Sequence, residues 1–575
     1  MPKIVTQLDR AFRAAIQDAL QISADPQISP SQNENFGDYQ SNAAMGLVKQ
    51  VLQKTGQKLA PRAVAEQIKA KLDLGPMASE VSIAGPGFIN IKLSPGWLAQ
   101  QLEAISGDAR LGIDLAEKPQ TVVIDYSGPN VAKQMHIGHL RPTNIGDTLA
   151  RILEFQGQNV IRQNHIGDWG TAFGMLLQYL KESGSDAESS LADLEGFYRA
   201  SKQRFDEDPA FAEKAREMVV RLQAGGAEET RLWKQIIAES RKHFQSLYDR
   251  MNISLKAEHE RGESFYNPLL AEVVAELKEK KVAEESQGAT VVFVKGFEAP
   301  LIVQKSGGGF NYGTTDLAAV RYRVRELHAN RIIYLTDARQ MQHFNQFFDA
   351  AKRASWTENV SLEHVTFGSI QGPDGKPFKS KSGDNVKLKD LLDEAEERAL
   401  AVVTAKNPEL PESQRIAIAR AVGIGAIKYY DLARDWIGNY TFDWEKMLSF
   451  DGNTAPYLQY AYARIRSIFR KAESTGGESS SGAKIQLDSP YELALGKHIL
   501  RLGEVIDLVA RELKPHHLCG YLFDLATRFS GFFENCPVVQ SEEPTRTSRL
   551  ALCDLTARTL ALGLDLLGIE HPEKM

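Results

Sequence analysis

His136-Ile-Gly-His139 is a tetrapeptide whose residue types and spacing could do chemistry. Two imidazoles flanking a glycine can donate hydrogen bonds to phosphate oxygens, and Gly138 removes a side chain so that a phosphate or a flat group can approach the backbone. Lys133, just upstream, can bring a mobile positive charge to the same place. Taken alone, two histidines three apart also suit a surface pair or half of a metal site. A second cationic stretch, Asp374-Gly-Lys-Pro-Phe-Lys-Ser-Lys-Ser-Gly383, carries Lys376, Lys379 and Lys381. On composition it is either a mobile cationic arm or an ordinary basic surface loop.

The elements around the tetrapeptide decide between these readings. Thr121, Val122, Val123 and Ile124 make a short apolar, β-branched run that reads as a buried strand. Ile145, Leu149, Ile152 and Leu153 then recur at helical spacing until Gly157, and Val160-Ile161-Arg162 opens a second β run. This is a βαβ unit with a right-handed crossover. Pro142 is tolerated in the first turn of a helix, where its missing N–H has no partner to lose. The helix therefore begins close to Gly138 and His139. Free N–H groups and the positive end of the macrodipole make that terminus a phosphate site.

The 575 residues predict several domains, roughly three or four. With 43% hydrophobic and 25% charged residues, the composition is that of an ordinary globular chain. No apolar run approaches the ~20 residues that span a bilayer, and the first residues lack the plan of a signal peptide. Cys519, Cys536 and Cys553 have no paired metal spacing, so a reducing cytoplasm is expected and no structural metal is predicted. His516, His517 and Cys519 read as a helix end rather than a metal site. A net charge of −6 argues against blanket nucleic-acid binding, so an RNA partner would have to meet local basic faces.

In chain order, Val5, Leu8, Phe12, Ala15, Ile16, Ala19 and Leu20 form a helical stripe, and two further helices are expected around 39–53 and 61–74. Val81, Ile83 and Gly87 to Leu93 read as strands joined by a Gly-Pro-Gly turn, giving a small α+β domain over residues 1–112. A Rossmann-like parallel-sheet domain is expected over 113–384, with a charged helical insertion at about 181–250 to which no chemistry is assigned. It resumes with a strand at Ala289 to Val294, passes the Gly307-Gly308-Gly309 turn, and continues through β runs at 331–336 and 365–367. The glycine triplet lacks the Gly-Lys-Ser ending of a phosphate loop. Residues 385–575 are nearly all helical, with a low-complexity Gly/Ser loop at 474–483.

Asp125 to Arg141, together with Asn164-His-Ile-Gly-Asp-Trp-Gly170, closely resembles the arginyl branch of the class I aminoacyl-tRNA synthetases. The resemblance covers the whole chain, including Phe442 to Arg464 and the C-terminal Leu560 to Met575. It implies a class I catalytic domain between a small tRNA-contacting N-terminal domain and an all-α anticodon-binding domain. The lysine-rich stretch aligns with the family's Lys-Met-Ser-Lys-Ser loop. Phe378 stands where the first Lys would be, Lys381 matches the second, and Lys133 is thought to supply the missing charge. By the same resemblance Asp125 and Asp316 form the acidic pair for the arginine side chain. Tyr312 and Gln340 complete that pocket, and Ser127 and Asn130 lie nearer the α-amino and carboxylate groups. A planar guanidinium demands carboxylates in bidentate geometry. The bland alternative for Asp316 is a helix cap after Thr314-Thr315.

Phe88 and Asn90 match the strand positions at which the family's N-terminal domain meets an unstacked tRNA base, and sheet packing is their bland reading. Tyr460 and Arg464, with Arg466, Arg470 and Lys471 beyond, suit RNA by basic and aromatic character, or else a solvated helix face. The implied reaction joins L-arginine to its tRNA through an arginyl-adenylate. ATP with Mg2+ enters as a substrate, and the enzyme is cytoplasmic and usually monomeric. The implied alternatives are a small-molecule nucleotidyltransferase, a catalytically silent synthetase-like tRNA-binding protein, and a synthetase for another amino acid.

Overall fold

The computed structural model describes residues 3–575 except 32, 34–35, 184–192, 377, 379–385 and 475–481. Lys379 and Lys381 lie outside the described residues, as does most of the Gly/Ser loop. The chain opens with the helix Ile4–Leu20, whose Leu8, Phe12 and Ile16 are fully buried as the stripe requires. Strands β1 (Ile28–Pro30), β2 (Tyr39–Ser41), β3 (Ala78–Ala84) and β4 (Phe88–Leu93) form an antiparallel sheet in the order β1-β2-β4-β3. The helix expected over 39–53 begins only at Ala43, because Tyr39, Gln40 and Ser41 pair with Ile91, Asn90 and Ile89 of β4. Tyr39 and Ser41 point inward in strand alternation, which an adjoining helical stripe disguises in the sequence.

The central sheet is parallel. It contains β5 (Thr121–Asp125), β6 (Asn159–Gln163), β10 (Arg331–Asp337) and β11 (Ser361–Phe367), in the order β11-β10-β5-β6. Val122 and Ile124 pack into one hydrophobic core and Val123 into another, so both faces are covered. The chain leaves β5 toward β6 on one side, and β10 sits on the other. That reversal makes the crevice beyond the carboxyl ends of β5 and β10 the place for a ligand. The expected strand at Ala289 does not extend this sheet. With β7 (Glu284–Ser286) and β9 (Leu301–Gln304), the strand β8 (Ala289–Val292) forms a separate antiparallel sheet, since short hairpin-length connections allow antiparallel pairing.

From Leu388 the chain is mostly helical: Leu388–Lys406 and Glu412–Leu432 form an antiparallel stem, followed among the described residues by helices beginning at Ala455, Pro490, Leu502, His516 and Thr545. His517 pairs with Glu512 at 3.1 Å, while the Cys519 thiol is buried. Two buried cations lock the stem to the catalytic domain. Arg141 donates to Asp431 (2.9 Å) and to the carbonyl of Gly368 (2.7 Å). Lys428 donates to the carbonyls of Met251 and Gly568, each at 2.7 Å.

Candidate active site

A cavity of about 700 Å³ opens at the carboxyl ends of β5 and β10. It is lined by His136, Gly138 and His139, by the acids Asp125, Glu263 and Asp316, and by Ser127, Asn130, Tyr312 and Gln340. The structure thus brings nine of the sequence-derived residues to one cleft. Lys133 and Lys376 are not in its lining.

The histidine side is built by a reciprocal cap. His136 Nδ1 accepts from Gly138 N–H (3.0 Å), and His139 Nδ1 accepts from His136 N–H (3.1 Å). A single turn, Ile137–His139, then runs into the helix Leu140–Phe155. With both Nδ1 atoms accepting, each neutral ring carries its proton on Nε2. Burial, joined by the neighbouring His136, drives the His139 pKa down to about 3; burial and Lys133 lower that of His136. The pair therefore offers neutral N–H donors at pH 7 rather than positive charge. A side chain at Gly138 would begin 2.7 Å from the His136 ring, so glycine is required by the cap itself.

The motif pairs with both other sequence signatures. Ile137 N–H donates to Val386 O and Leu388 N–H to Met135 O, both at 2.9 Å, so the segment 386–388, which follows the lysine-rich stretch in sequence, pairs with the histidine turn. At the loop's other end, Phe378 stacks on Phe442 at 4.8 Å with the planes 18° apart. The position that departs from the family pattern is therefore an aromatic anchor. On the opposite flank, Val131 N–H donates to Gly167 O and Gly167 N–H to Pro129 O, both at 3.1 Å. A Cβ on Gly167 would meet Asn130 Oδ1 at 2.3 Å. Ser127 and Ala132 hold φ values of 76° and 61°, a strained conformation for residues with a side chain.

The insertion is not a bystander. Its long helix Ala227–Arg250 places Ser240 Oγ on Ala132 N–H (3.0 Å) and Tyr248 OH on Ser127 Oγ (2.7 Å) and Asn164 (3.2 Å). Lys133 lies 4.8 Å from the ring of Tyr198, also in the insertion, and Lys387 pairs with Glu195 beside it at 2.7 Å.

The acidic side departs from a simple carboxylate pair. Asp125 Oδ2 accepts from Arg323 at 2.6 Å, and Arg323 is completely buried, its Nε on Gln163 at 2.6 Å and its guanidinium 5.0 Å from the Tyr334 ring. Asp125 thus carries an internal guanidinium, leaving Oδ1 without a partner among the described residues. Asp316 is no cap, since Asn311 holds that position; its Oδ2 meets His343 Nε2 at 2.5 Å, and Tyr312 stands edge-on to that imidazole. Glu263 is a third acid, with its pKa pushed up to about 7 by burial, then by Asp168 and Asp316. Sequence reasoning missed Glu263, His343, Arg323 and Tyr248. His343 alone had a local signal, three residues past Gln340 on an amphipathic helix.

A model of the class I synthetase (R) catalytic domain matches residues 101–444, one of the arginyl-tRNA synthetase N-terminal domain matches 6–93, and one of the DALR anticodon-binding domain matches 458–575. The chain is 49% identical to an arginine–tRNA ligase of Synechococcus elongatus, covering 99% of each, and 51% identical to one of Cellvibrio japonicus, covering 95% of each. The chain belongs to the arginyl-tRNA synthetase family. The solved arginyl-tRNA synthetase of Plasmodium falciparum superposes with a TM-score of 0.87 at 32% identity over 100% of both chains. That of Thermus thermophilus gives 0.82 at 25% identity, covering 99% of this chain and all of the other.

The remaining synthetase positions lie away from the cleft. Phe88 is half-buried at the start of β4, and Asn90 is 3% exposed with its Oδ1 unpaired among the described residues. Tyr460 is exposed, and the Arg464 guanidinium sits 4.8 Å from its ring and 5.8 Å from that of Phe533. No helix among the described residues is long and apolar enough to cross a membrane.

Proposed function

We propose that this protein attaches L-arginine to its cognate tRNA at the expense of ATP, in the cytoplasm, through an arginyl-adenylate. The observation that carries this reading is one cleft lined both by neutral imidazole donors and by the carboxyl groups of Asp125, Glu263 and Asp316. The arginine guanidinium would lie against Asp316, Glu263 and the unpaired Oδ1 of Asp125, with Tyr312 and Gln340 beside it. Ser127 and Asn130 would hold the amino-acid head. The carboxylate then attacks the α-phosphorus and pyrophosphate leaves with the magnesium that accompanies ATP. The His136 and His139 N–H groups stabilise the charge growing on the phosphate oxygens. The terminal ribose hydroxyl of the tRNA next attacks the arginyl carbonyl, and AMP leaves. Lys376, Lys379 and Lys381 would join when the loop closes on the triphosphate, and Lys133 on leaving Tyr198. Phe88 and Asn90 would receive a tRNA base, and Tyr460 and Arg464 the anticodon loop. We take the enzyme to act as a monomer, the usual arrangement in the family it resembles.

A catalytically silent tRNA-binding protein has no use for two caps that set both imidazole tautomers. The test is transfer of labelled arginine to tRNA across pH 6 to 8. Glu263 gains its proton as pH falls through about 7. A cationic substrate favours the ionised form, so the KM for arginine should rise severalfold from pH 8 to pH 6. Glu263→Gln should remove most of that rise. No transfer of arginine at any pH would end the proposal, and a pH-independent KM would remove Glu263 from the site.

A further inference from the structure

One helix serves both Asp125 and Asp316. Asp316 lies on Tyr312–Arg325, and Arg323 follows it by seven residues, which is two turns along the same face. Arg323 donates to Asp125 Oδ2 at 2.6 Å, and His343 Nε2 meets Asp316 Oδ2 at 2.5 Å. Each acid therefore has Oδ2 engaged by a protein group. In each, Oδ1 has no hydrogen-bond partner among the described residues. An ionised carboxylate can only accept, so the proton of the Asp316 contact sits on His343 Nε2.

The imidazole is itself held in place. Its side chain is 16% exposed, with Tyr312 edge-on at 4.7 Å and the rings of Phe347 and Phe344 at 5.2 and 5.9 Å. It lines the cleft with Gln340, three residues earlier, a spacing that puts neighbours on one helix face. His364, the nearby imidazole, is engaged elsewhere: its Nε2 meets Thr336 Oγ1 at 2.6 Å and its ring stacks on Phe344 at 3.9 Å. Burial, then His343, drives the His364 pKa down to about 4, so at pH 7 it brings no second positive charge to this wall. The terminal torsion of an aspartate is broad, so a carboxylate with neither oxygen engaged samples many orientations. A guanidinium needs its acceptor oxygens in a fixed plane.

We propose that His343 is the positioning residue of the arginine recess. It pins Oδ2 of Asp316 as Arg323 pins Oδ2 of Asp125, and leaves the two Oδ1 atoms to share one guanidinium. A planar fork gripped by one oxygen from each of two acids replaces the bidentate grip on a single carboxylate. This rests on the arginine reading above and adds how its acids are set.

The test is steady-state arginylation by the full-length protein carrying His343→Gln or His343→Leu, with His343→Leu also placed on an Asp316→Ala background. Glutamine keeps a side-chain N–H donor, whereas leucine keeps apolar volume among the rings and donates nothing. His343→Leu should raise the KM for arginine about tenfold, with kcat and the KM for ATP within about twofold of wild type. His343→Gln should leave the KM for arginine within about threefold of wild type. On the Asp316→Ala background, adding His343→Leu should change kcat/KM for arginine less than about twofold, since no carboxylate remains to be held. A packing role predicts the reverse order, with leucine near wild type and glutamine impaired, and that order would overturn the proposal. So would a tenfold loss that persists without Asp316, because His343 would then act by another route. A wild-type protein that transfers no arginine to tRNA would instead refute the function itself.

Discussion

Asp316→Asn is expected to raise the KM for arginine about 10²- to 10³-fold while leaving the KM for ATP within about threefold. The carboxylate lines the cleft, and among the described residues its hydrogen-bond partner is the His343 imidazole at 2.5 Å, so it can also face a ligand. Removing one member of a desolvated, hydrogen-bonded charge pair costs ~2–5 kcal/mol, which spans that range of affinity. Asparagine keeps the size and one hydrogen-bond acceptor, so the loss reports charge rather than shape. Steady-state arginylation with arginine and ATP varied separately gives the measurement, and an arginine KM within twofold of wild type would remove Asp316 from the recess. Asp125→Ala is a poorer probe. It strands Arg323, whose side chain is 0% exposed, and an uncompensated buried charge costs ~3–5 kcal/mol. That variant should lose stability as well as arginine use.

His136→Ala should lower kcat about 10²- to 10³-fold with the arginine KM nearly unchanged. This is the usual consequence of removing one donor that faces charge developing in a transition state. The ring also caps Gly138 N–H at 3.0 Å, so alanine removes a helix cap worth ~1 kcal/mol. His136→Asn separates the two roles, because asparagine restores a side-chain acceptor at the cap but is too short to replace the Nε2 donor. The asparagine variant should recover melting temperature and not turnover. Recovery of turnover together with stability would make His136 a cap and nothing more.

These two residues differ in how far the sequence exposed their surroundings. The histidine turn was legible because everything that shapes it is local: the buried strand before it, Gly138, and Pro142 in the following helix. The parallel sheet followed from the same βαβ reading. Local pattern misread the strand Tyr39–Ser41, which abuts a helix of the same burial, and placed Ala289–Val292 in the wrong sheet, because strand partners are not written in a strand's own residues. The acidic recess was legible only as a set of matching positions. Its counterion, Arg323, lies 198 residues from Asp125, and Tyr248 lies 121 residues from the Ser127 it supports. Such partners are brought together by the fold, and neither helical nor strand periodicity marks them. The insertion looked idle for the same reason.

The central claim is that a carboxylate-lined recess selects the positive charge of the substrate side chain. Citrulline has nearly the shape of arginine with a neutral urea in place of the guanidinium, so the ratio of kcat/KM for the two in tRNA charging measures that selection directly. A recess whose buried carboxylates go unpaired with the wrong ligand predicts a preference of ~10⁴ or more for arginine. A ratio below about ten would show that charge is not what the recess reads, and the account would be contradicted at its base.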